Sequence, residues 1–137
     1  MIERIIIRGH RGIGGTVSAI ALVADDDFSA RYDLDRINGV FSRPAHVLYR
    51  QSYVGRVLVL NTAKGGVATS WMLREMKCRD MAPAALLLNS SNPIMAQGAA
   101  FAGLPFMDRF DDDITVRINT GDRVTVEPGA GLVTISF

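Results

Sequence analysis

Between Gly55 and Asp108, three short apolar runs alternate with two stretches of helical character. The runs lie in "GRVLVLN", "MAPAALLLN" and "LPFMD", and within them the apolar residues are continuous rather than alternating. A short continuous run suits a strand covered on both faces, and strand, helix, strand, helix, strand is the order of parallel crossover units. Parallel strands need long crossovers, so a chain of 137 residues has room for one such unit and a set of flanking strands.

The first helix is expected to follow "NTAKGG". Ala68, Met72 and Met76 recur at four-residue spacing, Trp71 and Leu73 widen the apolar face, and Arg74, Glu75 and Lys77 take polar positions. In "NPIMAQGAAFAG", Asn92 suits an N-cap and Pro93 the first helical position. Upstream, Ile2 to Arg8 and Thr16 to Ala24 read as two strands separated by a glycine-rich turn. Residues 28–53 lack sustained periodicity and carry Asn38-Gly39 and Pro44, which predicts a long ordered loop with short strand pieces. From Asp113 the chain alternates apolar with polar residues around Gly121 and Pro128-Gly129, as antiparallel strands do. The expectation is a single α/β domain over 1–137, with a small parallel βαβαβ centre and flanking antiparallel strands.

Composition narrows the function. The chain is 48% hydrophobic and 21% charged with a formal net charge of +1, and no basic run is interleaved with aromatics, so no nucleic-acid partner is expected. Cys78 is the only cysteine, which rules out an internal disulfide and leaves too few thiolates for an iron–sulfur cluster held by this chain alone. Its place near a helix end disfavours a nucleophilic thiolate. The apolar run at the N-terminus stops after three isoleucines, too short for a signal core or a membrane span, so a soluble, unprocessed, cytoplasmic protein is expected. His10 and His46 fall in loops without an orienting carboxylate beside them in sequence, and read as solvated or structural. The triplets Asp25-Asp26-Asp27 and Asp111-Asp112-Asp113 read as solvated turns rather than as metal sites.

One stretch suggests a ligand. "NTAKGGVATS" places a lysine, two glycines and the hydroxyls of Thr62, Thr69 and Ser70 where a strand gives way to a helix, without the spacing of a nucleotide-binding P-loop. Backbone N–H groups at Gly65 and Gly66, with Lys64 and Thr69, suit a carboxylate or a phosphate. The same residues also make a ligand-free turn.

Taken in order, "GTVSAIALV", "HVLYRQSYVGRVLVL", "AKGGVATSWMLREM", "APAALLLNSSNPIMAQGAAFAGLPFMD" and "GDRVTVE" resemble the small swivel domain of the aconitase X dehydratases. The resemblance implies a swivelling β/β/α domain that is inactive alone and closes on a cysteine-rich large subunit. That partner would carry an iron–sulfur or other metal centre. It also implies dehydration of a small anionic hydroxy acid, by a base that removes a proton beside a carboxylate and a Lewis acid that assists loss of hydroxide. Of the family's substrates, cis-3-hydroxy-L-proline is the first expectation, because the chain lacks a thermophile's excess of lysine and glutamate. Mevalonate 5-phosphate is the alternative, and a non-catalytic binding module that keeps the swivel fold is a third reading.

The family loop continues from lysine or arginine and glycine to a serine proposed as proton acceptor. Lys64 and Gly65 match, but the serine position is Gly66, which has no side chain to take a proton. Thr62, Thr69 and Ser70 are then the remaining hydroxyls, with the partner as another source of the base. The chain also has Arg50 where the family has glycine before Gln51-Ser52, which adds a charged side chain for a carboxylate or for solvent.

Overall fold

The two N-terminal runs become β1 (Arg4–Arg8) and β2 (Val17–Val23), and the long loop carries β3 (Leu34–Asp35) and β4 (Val40–Phe41). The crossover unit follows as β5 (Val57–Thr62), α1 (Val67–Cys78), β6 (Ala85–Ser90), α2 (Pro93–Ala102) and β7 (Phe106–Asp108). A short helix α3 (Ile114–Arg117) and the strands β8 (Arg123–Glu127) and β9 (Leu132–Ser136) complete the order. This computed structural model describes residues 4–30, 32–64 and 67–136, and for 67–69 the backbone alone.

A seven-stranded sheet runs β1-β9-β8-β2-β5-β6-β7, with β3 and β4 as a separate pair. The strands β2, β5, β6 and β7 are parallel to their neighbours in that group, whereas β8 pairs antiparallel with β2 and β9, and β1 with β9. Pleating then decides which core each side chain enters. In β5, Leu58 and Leu60 pack with Leu73 and Met76 of α1 and Met95 and Ala99 of α2, while Val57 and Val59 pack on the other face with Ile114, Val124 and Ile135. In β6, Leu86 and Leu88 join the first cluster, and Ala85 and Leu87 the second. The continuous apolar runs are therefore strands covered on both sides, as their sequence requires.

Helix α2 starts as its sequence predicts. The Asn92 side chain accepts the Met95 N–H at 2.9 Å, Pro93 follows, and Gly103 closes the helix in the left-handed region at φ 66°. Among the described residues, no helix is long and apolar enough to cross a membrane.

Two sequence expectations change. Trp71, assigned to the apolar face of α1, is 66% exposed, because Leu73 and Met76 are the residues that face the sheet. Trp71 instead lines an apolar groove with Ser70, Arg74, Ile94, Gln97 and Phe101. The segment after Asp113 does not begin as a strand. Ile114 and Ile118 are fully buried one turn apart and Val116 is exposed, and the Asp113 carboxylate accepts the Thr115 N–H at 3.0 Å to cap α3. A spacing of two along a strand and of four along one helical turn both bring Ile114 and Ile118 to one side, and the cap decides between them.

Helices α1 and α2 approach closely at Gly98, where an added Cβ would lie 2.7 Å from Ser70 Cα. Gly98→Ala is expected to destabilise the fold by about 1–3 kcal/mol through this overpacking, read as a lowered Tm. Tyr53 is fully buried, and its hydroxyl has no hydrogen-bond partner among the described residues. Burial pushes its pKa up to about 12. Tyr53→Phe removes the orphaned hydroxyl and is expected to hold or raise stability, by up to about 1 kcal/mol in denaturant unfolding.

Candidate functional site

Because β2, β5, β6 and β7 run the same way, their C-terminal ends share one edge of the sheet, and the loops that leave them carry Asp25 to Asp27, Ala63 and Lys64, Ser91 and Asn92, and Arg109. In open α/β sheets this is the edge where ligands bind. The strongest convergence of polar groups lies between the first two loops. Past the end of β2 the chain keeps tracking β5: Asn61 N–H donates to the Asp26 carbonyl at 2.7 Å, Phe28 N–H to the Thr62 carbonyl at 2.8 Å, and Lys64 N–H to the Phe28 carbonyl at 2.7 Å. This backbone ladder sets the aspartates beside Thr62 and Lys64.

The Thr62 hydroxyl donates to one Asp27 oxygen at 2.7 Å, and the Lys64 ammonium stands 3.3 Å from the other. These contacts, the Thr62 hydrogen bond first, hold the Asp27 carboxyl below its ordinary pKa against the opposing effect of partial burial. Asp27, Ser29, Tyr32, Asp33, Arg43 and Lys64 line a polar groove. Within it, Arg43 hydrogen-bonds Asp33 and lies 3.8 Å from Asp26, and the Asp33 contact raises the Arg43 pKa. Burial would lift the Asp26 carboxyl, but the N–H groups of Val47 and Asp27 and the nearby Arg43 outweigh it, and its pKa is lowered.

His46 lies beneath this groove, 3% exposed and stacked on Phe41 at 4.5 Å between ring centroids. Its Nδ1 accepts the Leu48 N–H at 3.0 Å, so the ring proton sits on Nε2, which donates to the Asp27 carbonyl at 2.8 Å. The ring is a structural brace, as its loop position suggested, although Asp26 and Asp33 stand 3.7 and 4.0 Å from Nε2. Those carboxylates come from a distant part of the chain, which is why no carboxylate beside His46 in sequence signalled them. His10 is exposed, and its backbone N–H donates to the Arg109 carbonyl at 3.1 Å, past the end of β7.

The structure separates the residues singled out in sequence. Lys64 and Thr62 meet at the polar groove through Asp27, whereas Ser70 lines the apolar groove and packs under Gly98. Gly65 and Gly66, and the side chain of Thr69, lie outside the described residues. Cys78 is exposed at the far end of α1 from this edge. The aspartate triplets are more engaged than their reading as solvated turns implied: Asp26 and Asp27 are paired as above, Asp113 caps α3, and Asp112 pairs with Arg117. Among the described residues, no histidine, cysteine and carboxylate cluster could hold a metal ion. Arg50 adopts φ 70° and lays its guanidinium 5.1 Å from the Tyr49 ring centroid. That left-handed backbone is one that glycine adopts without steric cost and that arginine adopts rarely. Asp27 and Arg43 escaped sequence reasoning, since an aspartate triplet and a loop arginine carry no local sign of pairing across the sheet edge.

Below its ordinary pKa, Asp27 stays ionised, and its pairing persists until the pH falls through its lowered folded value. Thr62→Val removes the first of the contacts responsible and is expected to raise the Asp27 pKa toward its ordinary value. Carboxyl carbon shifts followed by NMR between pH 2 and about pH 6 would register the change.

The comparisons with known proteins agree with this architecture. The family model of the aconitase X swivel domain matches residues 6–135. The phosphomevalonate dehydratase small subunit of Methanocella arvoryzae is 34% identical over 130 residues, which span 95% of this chain and 98% of that protein. The small subunit of the same name from Methanothrix thermoacetophila is 36% identical over 88% of each chain. The crystal structure of Thermococcus kodakaraensis aconitase X in its holo form superposes with a TM-score of 0.89 at 25% identity, covering 96% of this chain and 98% of that one. With its parallel centre, its antiparallel flank and a family match over nearly its whole length, this chain belongs to the aconitase X swivel-domain family.

Proposed function

We propose that this chain is the small subunit of a two-subunit aconitase X dehydratase that acts on mevalonate 5-phosphate. The observation that carries the reading is the nearly full-length similarity to proteins named as phosphomevalonate dehydratase small subunits, at 34% and 36% identity. It favours this substrate over cis-3-hydroxy-L-proline, the first expectation from sequence. Mevalonate 5-phosphate carries a carboxylate and a phosphate, and the Lys64 ammonium is a directed cationic donor for one of them at the edge where the parallel strands end. The groove residues around it are themselves charge-paired, so this wall positions an anion at short range rather than drawing it from afar.

The metal chemistry belongs to the partner in this reading. One exposed cysteine and no metal-ligating cluster among the described residues do not fit an iron–sulfur centre held here. This chain's own share of the reaction is to bind and orient the anionic end of the substrate and to exclude water when the swivel domain closes. Thr62 already donates its proton to Asp27, which makes it an orienting hydroxyl. The glycine at position 66 favours one second reading, a swivel module that assembles without turning over substrate.

Reconstitution with the large subunit of an aconitase X dehydratase is expected to give dehydration of mevalonate 5-phosphate that neither subunit achieves alone. In that complex, Lys64→Ala should raise KM roughly tenfold, the size of a lost charged hydrogen bond, while Ser70→Ala should leave kcat unchanged. A stable complex without turnover of either substrate would establish the non-catalytic module.

A further inference from the structure

We propose that Asp27 is a positioning residue for Lys64, holding the ammonium in place to receive the substrate anion. The inference rests on the reading of Lys64 as an anion-binding residue. Its basis is the unequal way in which the two partners are held. The Lys64 side chain is 68% exposed, with its ammonium 3.3 Å from Asp27 Oδ2. Asp27 is only 25% exposed and is gripped from other directions. The Thr62 hydroxyl fixes Oδ1 at 2.7 Å, and the buried His46 ring fixes the Asp27 carbonyl at 2.8 Å. Behind that ring, the Leu48 N–H at 3.0 Å and the stacked Phe41 hold His46 itself. The relay runs from the loop core through His46 to the Asp27 backbone, and from its carboxylate to the lysine.

An exposed lysine–carboxylate pair adds little to stability, so folding alone does not account for an anchor built this firmly. What the anchor changes is the lysine's freedom. A lysine has many rotamers and pays in entropy when a ligand fixes it, whereas one already restrained by a rigid counter-ion pays less. The carboxylate also cancels much of the lysine's distant field. It leaves a short-range N–H donor whose direction, rather than charge alone, selects the ligand.

The other charged groups facing Asp27 fit this role. Arg43 is occupied by Asp33 and Asp26, so Lys64 is the cation that Asp27 holds at the groove. Ser29 N–H donates to the second Asp33 oxygen at 3.0 Å, and Arg43, hydrogen-bonded to Asp33, interacts with Asp27 through its charge.

The test combines the free chain with the reconstituted complex. In the free chain, Lys64→Ala should raise the Asp27 pKa seen in carboxyl carbon titration, and an unmoved titration would overturn the coupling whether or not the complex is an enzyme. In the complex, Asp27→Asn keeps the shape and an acceptor for Thr62 but removes the charge facing Lys64. It should raise KM for mevalonate 5-phosphate roughly tenfold with kcat and Tm little changed. Asp27→Glu should recover part of that loss. The double variant Asp27→Asn, Lys64→Ala should be no worse than Lys64→Ala alone, because both act through one ammonium. Independent, multiplying losses would sink the proposal, as would a KM that falls in Asp27→Asn. If Lys64→Ala leaves KM unmoved in an active complex, it is the anion-binding role of Lys64 that fails, whatever the titration gives. If the wild-type complex turns over no mevalonate 5-phosphate, the reading of function fails, and the titration alone decides the coupling.

Discussion

Burial of β5 and β6 on both faces is the constraint from which the rest of the molecule follows. Leu58, Leu60, Leu86 and Leu88 need cover on one side, and Val57, Val59, Ala85 and Leu87 on the other, and all eight are fully buried. Helices α1 and α2 supply the first cover, and α3 with the antiparallel strands β8 and β9 supplies much of the second. A strand buried on both faces must also satisfy its backbone within the sheet, so β5 is locked between β2 and β6. That lock brings the end of β2, and the aspartates after it, alongside the end of β5.

The chemistry of the sheet edge is a consequence of this placement. Parallel strands deliver all their exits to one side, where helix starts and loops leave polar groups that strands would not tolerate. At the exits of β2 and β5 the result is a charge-balanced groove, built from pairs: Asp27 with Lys64, and Asp33 with Arg43. Such a surface is poorly suited to recruiting an anion by long-range attraction and well suited to orienting one that another surface delivers.

At the next exit, Asn89 links the strands to α3. Its amide donates to Asn61 at 3.1 Å and to Asp113 at 2.7 Å, and its carbonyl oxygen accepts the Ile114 N–H at 2.8 Å. One side chain at the end of β6 therefore ties β5 to the cap of α3, and the same edge that bears the candidate site is stiffened from beneath. The long loop contributes in a different way. It has little regular structure, yet Phe28, Phe41 and Tyr53 are fully buried within it, so it forms a packed wall of the groove rather than a free connection.

Sequence alone determined the elements whose signals are local. Continuous apolar runs marked β5 and β6, because a strand covered on both faces has no polar positions to spare, and Asn92-Pro93 marked the start of α2, because capping is settled within a few residues. Lys64 and Thr62 were likewise visible as polar groups at a strand exit. What only the tertiary structure decided depends on distance through space rather than along the chain. Residues 27 and 62 become hydrogen-bonded neighbours only once β2 and β5 pair, and Trp71 turns outward only once Leu73 and Met76 have chosen the sheet. The period of Ile114 and Ile118 fits a strand and a helical turn alike, so the Asp113 cap and the available core had to choose. Local signals fix how a segment folds, but partners from separate segments are selected by sheet pairing, which no single window of residues contains.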